Sequence, residues 1–371
     1  MKKIIISIGI YTMLLLTSVA IPQELSGKEL SKKSEFKRKI SKEFPISATG
    51  KINVTGKYGH LNVSTWEKNK AKFDVKIIVK ANSKEKADKT FERININFSN
   101  GKDYAKALFE IKDGSWKDYK GVSYQIHYEI KIPAGCSVDL YNKYGNIHLT
   151  DIRGSAKIEN KYGNIKTGDI GKEVNLQLGY GSANIGNIEN LNAEIKYSKL
   201  DINSAKDIKI ESKYSQIYVD KAHDIKSESK YDKFYLGDVN NIRSYGKYDN
   251  FKIKSLHNLD ATGKYSDYDI KNLHGKIDLD MKYGDAVIHK THNTYQGINF
   301  KGEYADLHVE LAGVGSGFRL NGQYAKIKLP SSAKKKNYEN ERGAISTEGH
   351  IGSNNHTIKA TLKYGSVVIF E

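Results

Sequence analysis

Ten lysines each stand one residue ahead of a tyrosine: Lys57, Lys143, Lys161, Lys196, Lys213, Lys230, Lys247, Lys264, Lys282 and Lys363. Cations repeated at a fixed interval make a linear electrostatic strip, and the chemistry of such a strip is retention of anionic polymers rather than bond cleavage. Two residues earlier, acids recur on the same face (Glu159, Glu194, Glu211, Glu228 and Asp280). They are expected to offset Lys161, Lys196, Lys213, Lys230 and Lys282, whereas Lys247 and Lys264 have no such acid. The strip assigned to a ligand is Lys196, Lys213, Lys230, Lys247 and Lys264. The plainer reading is a solvated face whose lysines prevent lateral sheet association.

Residues suited to catalysis are scattered by comparison. Glycan-cleaving sites need two or three carboxylates, or carboxylates with Arg or Lys, brought together on adjacent elements. Asp151, Asp169, Asp207, Asp224 and Asp238 recur at or near one position of the repeat, where aspartate serves as a turn residue. Arginines are few, among them Arg153, Arg243 and Arg319. His289 and His292 form a His-x-x-His pair, and His257 and His274 are 17 apart, but no third metal ligand of fitting spacing accompanies either pair. Cys136 is the single cysteine, so no intrachain disulfide can form. Phosphate-cradling loops, nucleophile elbows and calcium-binding nonapeptides are absent from the sequence. The reading is a non-enzymatic chain with no catalytic, cofactor or metal residues. The rival is a carbohydrate-active β-helix enzyme with a shallow site.

These side chains must be positioned by a repeat. Tyr144, Tyr162, Tyr180, Tyr197, Tyr214, Tyr231, Tyr248, Tyr265 and Tyr283 follow one another every 17 or 18 residues. Tyr304 and Tyr324 continue at wider steps, and similar units surround Tyr58 and Tyr364. So short a period is the mark of a solenoid. Six and four residues before the tyrosines the chain is almost always apolar, as at Val138 and Leu140, or Ile208 and Ile210. Apolar residues return three, five and eight positions after it, as at Ile147, Leu149 and Ile152. The odd step of three breaks strand alternation, so the chain must bend just past the tyrosine, where Gly, Ser, Asp or Ala stands. Each coil then has two or three short strands, and its 17 residues give a perimeter of roughly 55 Å. The expected fold is all-β: a single-stranded parallel β-solenoid, right-handed as parallel connections overwhelmingly are. Parity places the tyrosines in the core row, as a structural ladder. The ten steps from Tyr144 to Tyr324 would span roughly 48 Å.

Residues 1–20 have a basic start, an apolar stretch and a small-x-small end, the pattern of a secretory signal peptide. Residues 21–44 are polar and lysine-rich, expected as a lead-in with little fixed structure. Residues 45–135 hold a first coil and a small α+β cap: strands over 73–79, 94–98, 107–111 and 122–132, and a short helix over 83–93 with Ser83 as N-cap. Residues 136–330 are the tyrosine repeat, and 331–371 a polar insertion and a final coil. The net charge is +17, about +15 once Lys2 and Lys3 leave with the signal. Export makes nucleic acid an unexpected partner. The N-terminal apolar stretch is too short for an anchor, and no later segment reaches bilayer length. Cys136 lies too far from the signal for N-terminal lipidation.

The Tyr-Gly corners (Tyr58-Gly59, Tyr144-Gly145, Tyr162-Gly163, Tyr180-Gly181, Tyr283-Gly284, Tyr364-Gly365), the apolar pairs after them and the strand from Tyr128 to Pro133 carry a resemblance. Over residues 45–371 the chain resembles the bacterial putative-adhesin β-solenoid family, a domain of unknown function related to the head domain of auto-transporter adhesins. Its Lys/Asn/Ile bias resembles sequences from Bacteroidota. The resemblance implies an exported protein, periplasmic, at the cell surface or secreted. The expected function is an adhesin-like interaction surface for anionic glycans or envelope proteins, carried by a monomer, with a structural envelope spacer as the further alternative.

Overall fold

The computed structural model of the protein describes residues 33–112, 121–352 and 356–371. The signal-peptide segment and the first part of the lead-in lie outside the described residues. The remainder is a parallel β-solenoid with a single short helix.

Register follows the tyrosine period. Ser182–Lys196, Lys199–Lys213, Gln216–Lys230, Lys233–Lys247 and Asn250–Lys264 are 15-residue strands stacked in parallel, each tyrosine falling in the break between one and the next. Like residues meet like: Ile202 opposes Val219, and Ile208 opposes Ile225. Two or three short strands per coil were expected, and these five coils instead run almost unbroken. Their second bend is taken up inside the strand, where pairing of the first two skips Gly186 and Glu189. Coils nearer the N-terminus match the expectation, as in Ser137–Lys143 followed by Ile147–Leu149. The apolar columns form one narrow core, with Phe234, Phe251 and Tyr268 stacked inside at 4.4 and 4.9 Å.

Both ends depart from a simple pile of coils. Residues 34–44, expected to lack fixed structure, belong to the strand Ser34–Pro45, antiparallel to Lys70–Ala81. Only Phe36, Ile40 and Phe44 turn toward the core, so one apolar residue in four holds this strand down while the rest stay exposed and polar. Lys70–Ala81 pairs in turn with Ser123–Pro133, which lies parallel on the first coil strand Leu61–Trp66. The helix Lys84–Arg93 starts as expected, with Ser83 accepting a hydrogen bond from the Lys86 amide.

At the far end the last coil in sequence is not the last in space. Thr357–Lys363 lies between Gly297–Glu310 and Ser316–Gln323, parallel to both. Ser366–Phe370 does the same between Gly297–Glu310 and Lys326–Lys328. The polar insertion is a hairpin of Lys334–Glu341 and Ala344–Ile351, whose second strand pairs antiparallel with Ser316–Gln323. An antiparallel pair thus covers an edge that would otherwise recruit further strands.

Candidate binding face

The outward face of the strand that runs into each tyrosine carries columns fixed by register. Lys196, Lys213, Lys230, Lys247, Lys264 and Lys282 oppose one another on consecutive coils. Gly179 separates them from Lys161, and Glu303 ends the run. Parallel neighbours lie about 4.8 Å apart, so six lysines repeat at coil spacing.

Of the five expected acidic partners, only Glu194 pairs with its own lysine among the described residues. Glu194 pairs with Lys196 and raises the lysine's pKa. Glu211 pairs with Lys209 at 3.8 Å instead of Lys213. Lys282 pairs with Glu303 of the next coil at 3.0 Å, not with Asp280, and this partner raises its pKa. Among the described residues, Lys161, Lys213, Lys230, Lys247 and Lys264 make no ion pair. Several of these ammonium groups lie over the following tyrosine ring, Lys230 at 5.0 Å and Lys264 at 5.8 Å from the centroid.

The tyrosines form a ladder, but not in the core row. All thirteen, from Tyr58 through Tyr364 to Tyr324, have φ between 51° and 62°. The chain bends at the tyrosine itself, which turns the ring out of the alternation that parity assumed. Neighbouring rings are nearly parallel with centroids 4.6–5.3 Å apart, a slipped stack. Eleven of the thirteen are 39–58% exposed. Tyr364 stands between Tyr304 and Tyr324, following the insertion of the last coil, and Tyr124 closes the other end edge-on against Tyr58. Ring faces are occupied by neighbours, so the ladder offers solvent its edges and hydroxyls.

The acids at the second bend serve the turn. Asp151 accepts from the Asp169 amide at 2.8 Å, and Asp169 from the Asn187 amide at 2.7 Å. Asp207 and Asp224, grouped with them in the sequence, fall in a neighbouring column instead, Asn190, Asp207, Asp224, Asn241 and Asn258, along a trough of about 730 Å³. Its amides link rung to rung, Asn258 donating to Asn241 at 2.8 Å and Asn241 to Asp224 at 2.6 Å. The spacing of Asn and Asp at 17 residues was the signal that could have shown it.

Asp207, His223 and Asp224 bring three possible metal-ligand atoms within 4.8 Å, the one such trio among the described residues. Asn241 and His223 already engage Asp224 and hold its carboxyl below the usual range. His257 and His274 are neighbours as their spacing required, and His292 extends the stack at 4.0 Å from His274. Burial, with His292 and His257 beside it, pushes the His274 pKa down. The His-x-x-His pair itself is split, since His289 turns to Asp269 at 2.8 Å.

No family model and no curated protein matches the chain. Solved structures similar to it include a putative cell adhesion protein from Clostridium sporogenes, with 10% identity over 91% of this chain and 99% of that one, at a TM-score of 0.18. A putative adhesin from Parabacteroides merdae has 13% identity over 73% of this chain and 95% of its own, at a TM-score of 0.31. Another from Bacteroides fragilis has 11% identity over 90% and 97%, at a TM-score of 0.23. None of these likenesses is close enough for an activity to be transferred from it.

Proposed function

We propose that the protein is an exported, non-enzymatic binding module that holds linear anionic polysaccharides along its lysine column. The observation that carries this reading is the run Lys213, Lys230, Lys247 and Lys264. These four cations are adjacent in register and make no ion pair among the described residues. Like charges stacked at strand spacing repel one another, and a polyanion laid along the column relieves that repulsion. The N-terminal sequence supports export, which directs the choice of polyanion toward glycans.

Replacing Lys196, Lys213, Lys230, Lys247 and Lys264 together with Gln is expected to abolish retention on an immobilised acidic polysaccharide at low salt. Wild-type retention should fall steeply as ionic strength rises, because exposed charges are screened within about 8 Å at physiological salt. Undiminished retention of the quintuple variant sinks the assignment to this column. Release of reducing ends or unsaturated uronides by the wild-type protein overturns the non-enzymatic part.

A further inference from the structure

The column three residues before the tyrosines changes character at one place. It carries Glu194, Glu211 and Glu228 on consecutive coils, then Tyr245 and Thr262. The acids beside the lysines are therefore interrupted at Lys247 and Lys264 and resume at Asp280. Tyr245 is 55% exposed, and its ring is stacked on no other ring among the described residues. That distinguishes it from the corner ladder, whose faces are covered.

Register sets what surrounds the ring. On the side toward the corner lie Lys230, Lys247 and Lys264, with the Lys247 ammonium 5.9 Å from the ring centroid. On the other side Lys226, Arg243 and Asp260 follow one another. Arg243 and Asp260 pair at 3.2 Å and cancel. Four ammonium groups then face the single carboxylate of Glu228. An exposed tyrosine ring that stacks on no other ring, set where cations outnumber anions, matches a ligand with both an apolar face and an anion.

We infer that Tyr245, Lys247 and Lys264 form a subsite for an acidic pyranose, a uronate unit of a linear polysaccharide. The inference rests on the reading of this face as a polyanion surface and adds the sugar to it. The axial C–H groups of a pyranose pack on the tyrosine face, while its carboxylate meets an ammonium group. Coils advance about 4.8 Å, and a 1,4-linked pyranose advances about as far, so a chain laid along the stack keeps step with the lysines, its carboxylates meeting them wherever the chain's twist turns one inward. A polyanion without sugar rings can use the lysines but not the tyrosine.

The test compares hexagalacturonate with an inorganic polyphosphate of similar charge, by titration calorimetry against wild type, Tyr245→Ala and Tyr245→Phe. Tyr245→Ala is expected to weaken hexagalacturonate binding by roughly two- to tenfold, the worth of one aromatic contact, and to leave polyphosphate binding unchanged. Tyr245→Phe, which keeps the ring, should bind both as wild type does. Unchanged hexagalacturonate binding by Tyr245→Ala overturns the subsite and leaves the polyanion surface standing. Equal loss for both ligands also overturns it, because the ring then acts without regard to sugar. Failure of both ligands to bind wild type overturns the subsite and the surface together.

Discussion

Asp232 and Asp249 occupy the position after the tyrosine, almost fully buried beneath the exposed ladder. Each uses both oxygens. Asp232 accepts from the Ser215 amide at 2.6 Å and the Ser212 hydroxyl at 2.7 Å. Asp249 accepts from the Asp232 amide at 2.8 Å and the Ser229 hydroxyl at 2.9 Å. Burial nevertheless outweighs these bonds, and with the Asp232 charge nearby the Asp249 pKa is pushed up to about 6, while that of Asp232 is also raised. A carboxyl whose folded pKa exceeds its unfolded one stabilises the fold below the unfolded value, and that stability is lost as pH rises through the folded value. The window for Asp249 thus runs from about pH 4 to about pH 6. Asn at position 249 keeps an acceptor for the Asp232 amide and offers a donor to Ser229. Asp249→Asn is expected to raise the melting temperature at pH 7.5 by several degrees and to change it little at pH 4, followed by circular dichroism. Equal destabilisation at both pH values would show that the carboxylate is needed in its charged form.

At the scale of the coil, the tyrosine corner sets two effects of similar size against each other. A left-handed backbone costs a non-glycine residue about 1–2 kcal/mol, while each stacked pair contributes about 0.5–1.5 kcal/mol. Tyr231 sits at φ 61° with rings 4.8 and 4.7 Å away on either side. Tyr231→Ala loses both pairs and keeps the backbone strain, for an expected loss of about 1–3 kcal/mol in urea unfolding. Tyr231→Asn loses the same pairs but suits the left-handed corner, so it should fall between alanine and wild type. Asn ranking below Ala would refute the strain. The period, the apolar columns, the lysine register and the Ser83 cap were legible in the sequence, because each follows from side-chain type at a fixed spacing. The outward turn of the tyrosines was not, since alternation was carried one residue too far, through a bend that begins at the ring. The shift of Lys282 from Asp280 to Glu303 was hidden for a different reason. It joins two coils, and Tyr283 and Tyr304 are separated by a wider step than the regular period. Tyr245 was visible as a tyrosine off the period, but its place among Lys230, Lys247 and Lys264 needed the register.

For the whole molecule, the question is how a stack of parallel strands ends without recruiting more. The N-terminal end is covered by Ser123–Pro133 and the antiparallel strands beyond it. The C-terminal end is closed differently, because among the described residues the strand Gly297–Glu310 pairs with the final segment, which in turn pairs with Ser316–Gln323 and Lys326–Lys328. That segment buries Ile358, Ala360, Leu362, Val367 and Ile369, and its Tyr364 joins the ring ladder on both sides. A chain stopped at Gly352 would leave two parallel edges facing an apolar slot, the arrangement most prone to strand addition. Such a truncation is expected to form oligomers in size-exclusion chromatography with light scattering, increasingly so with concentration. A synthetic peptide of residues 357–371 should bind the truncated protein and return it to a single monomeric peak, followed by anisotropy of a label on the peptide. The same peptide carrying Leu362→Asp places a charge at a buried position and should neither bind nor rescue. If the truncated protein stays monomeric with an unchanged melting temperature and takes up neither peptide, the inserted coil does not close this end. The Ser316–Gln323 coil and its hairpin would then have to seal the solenoid alone.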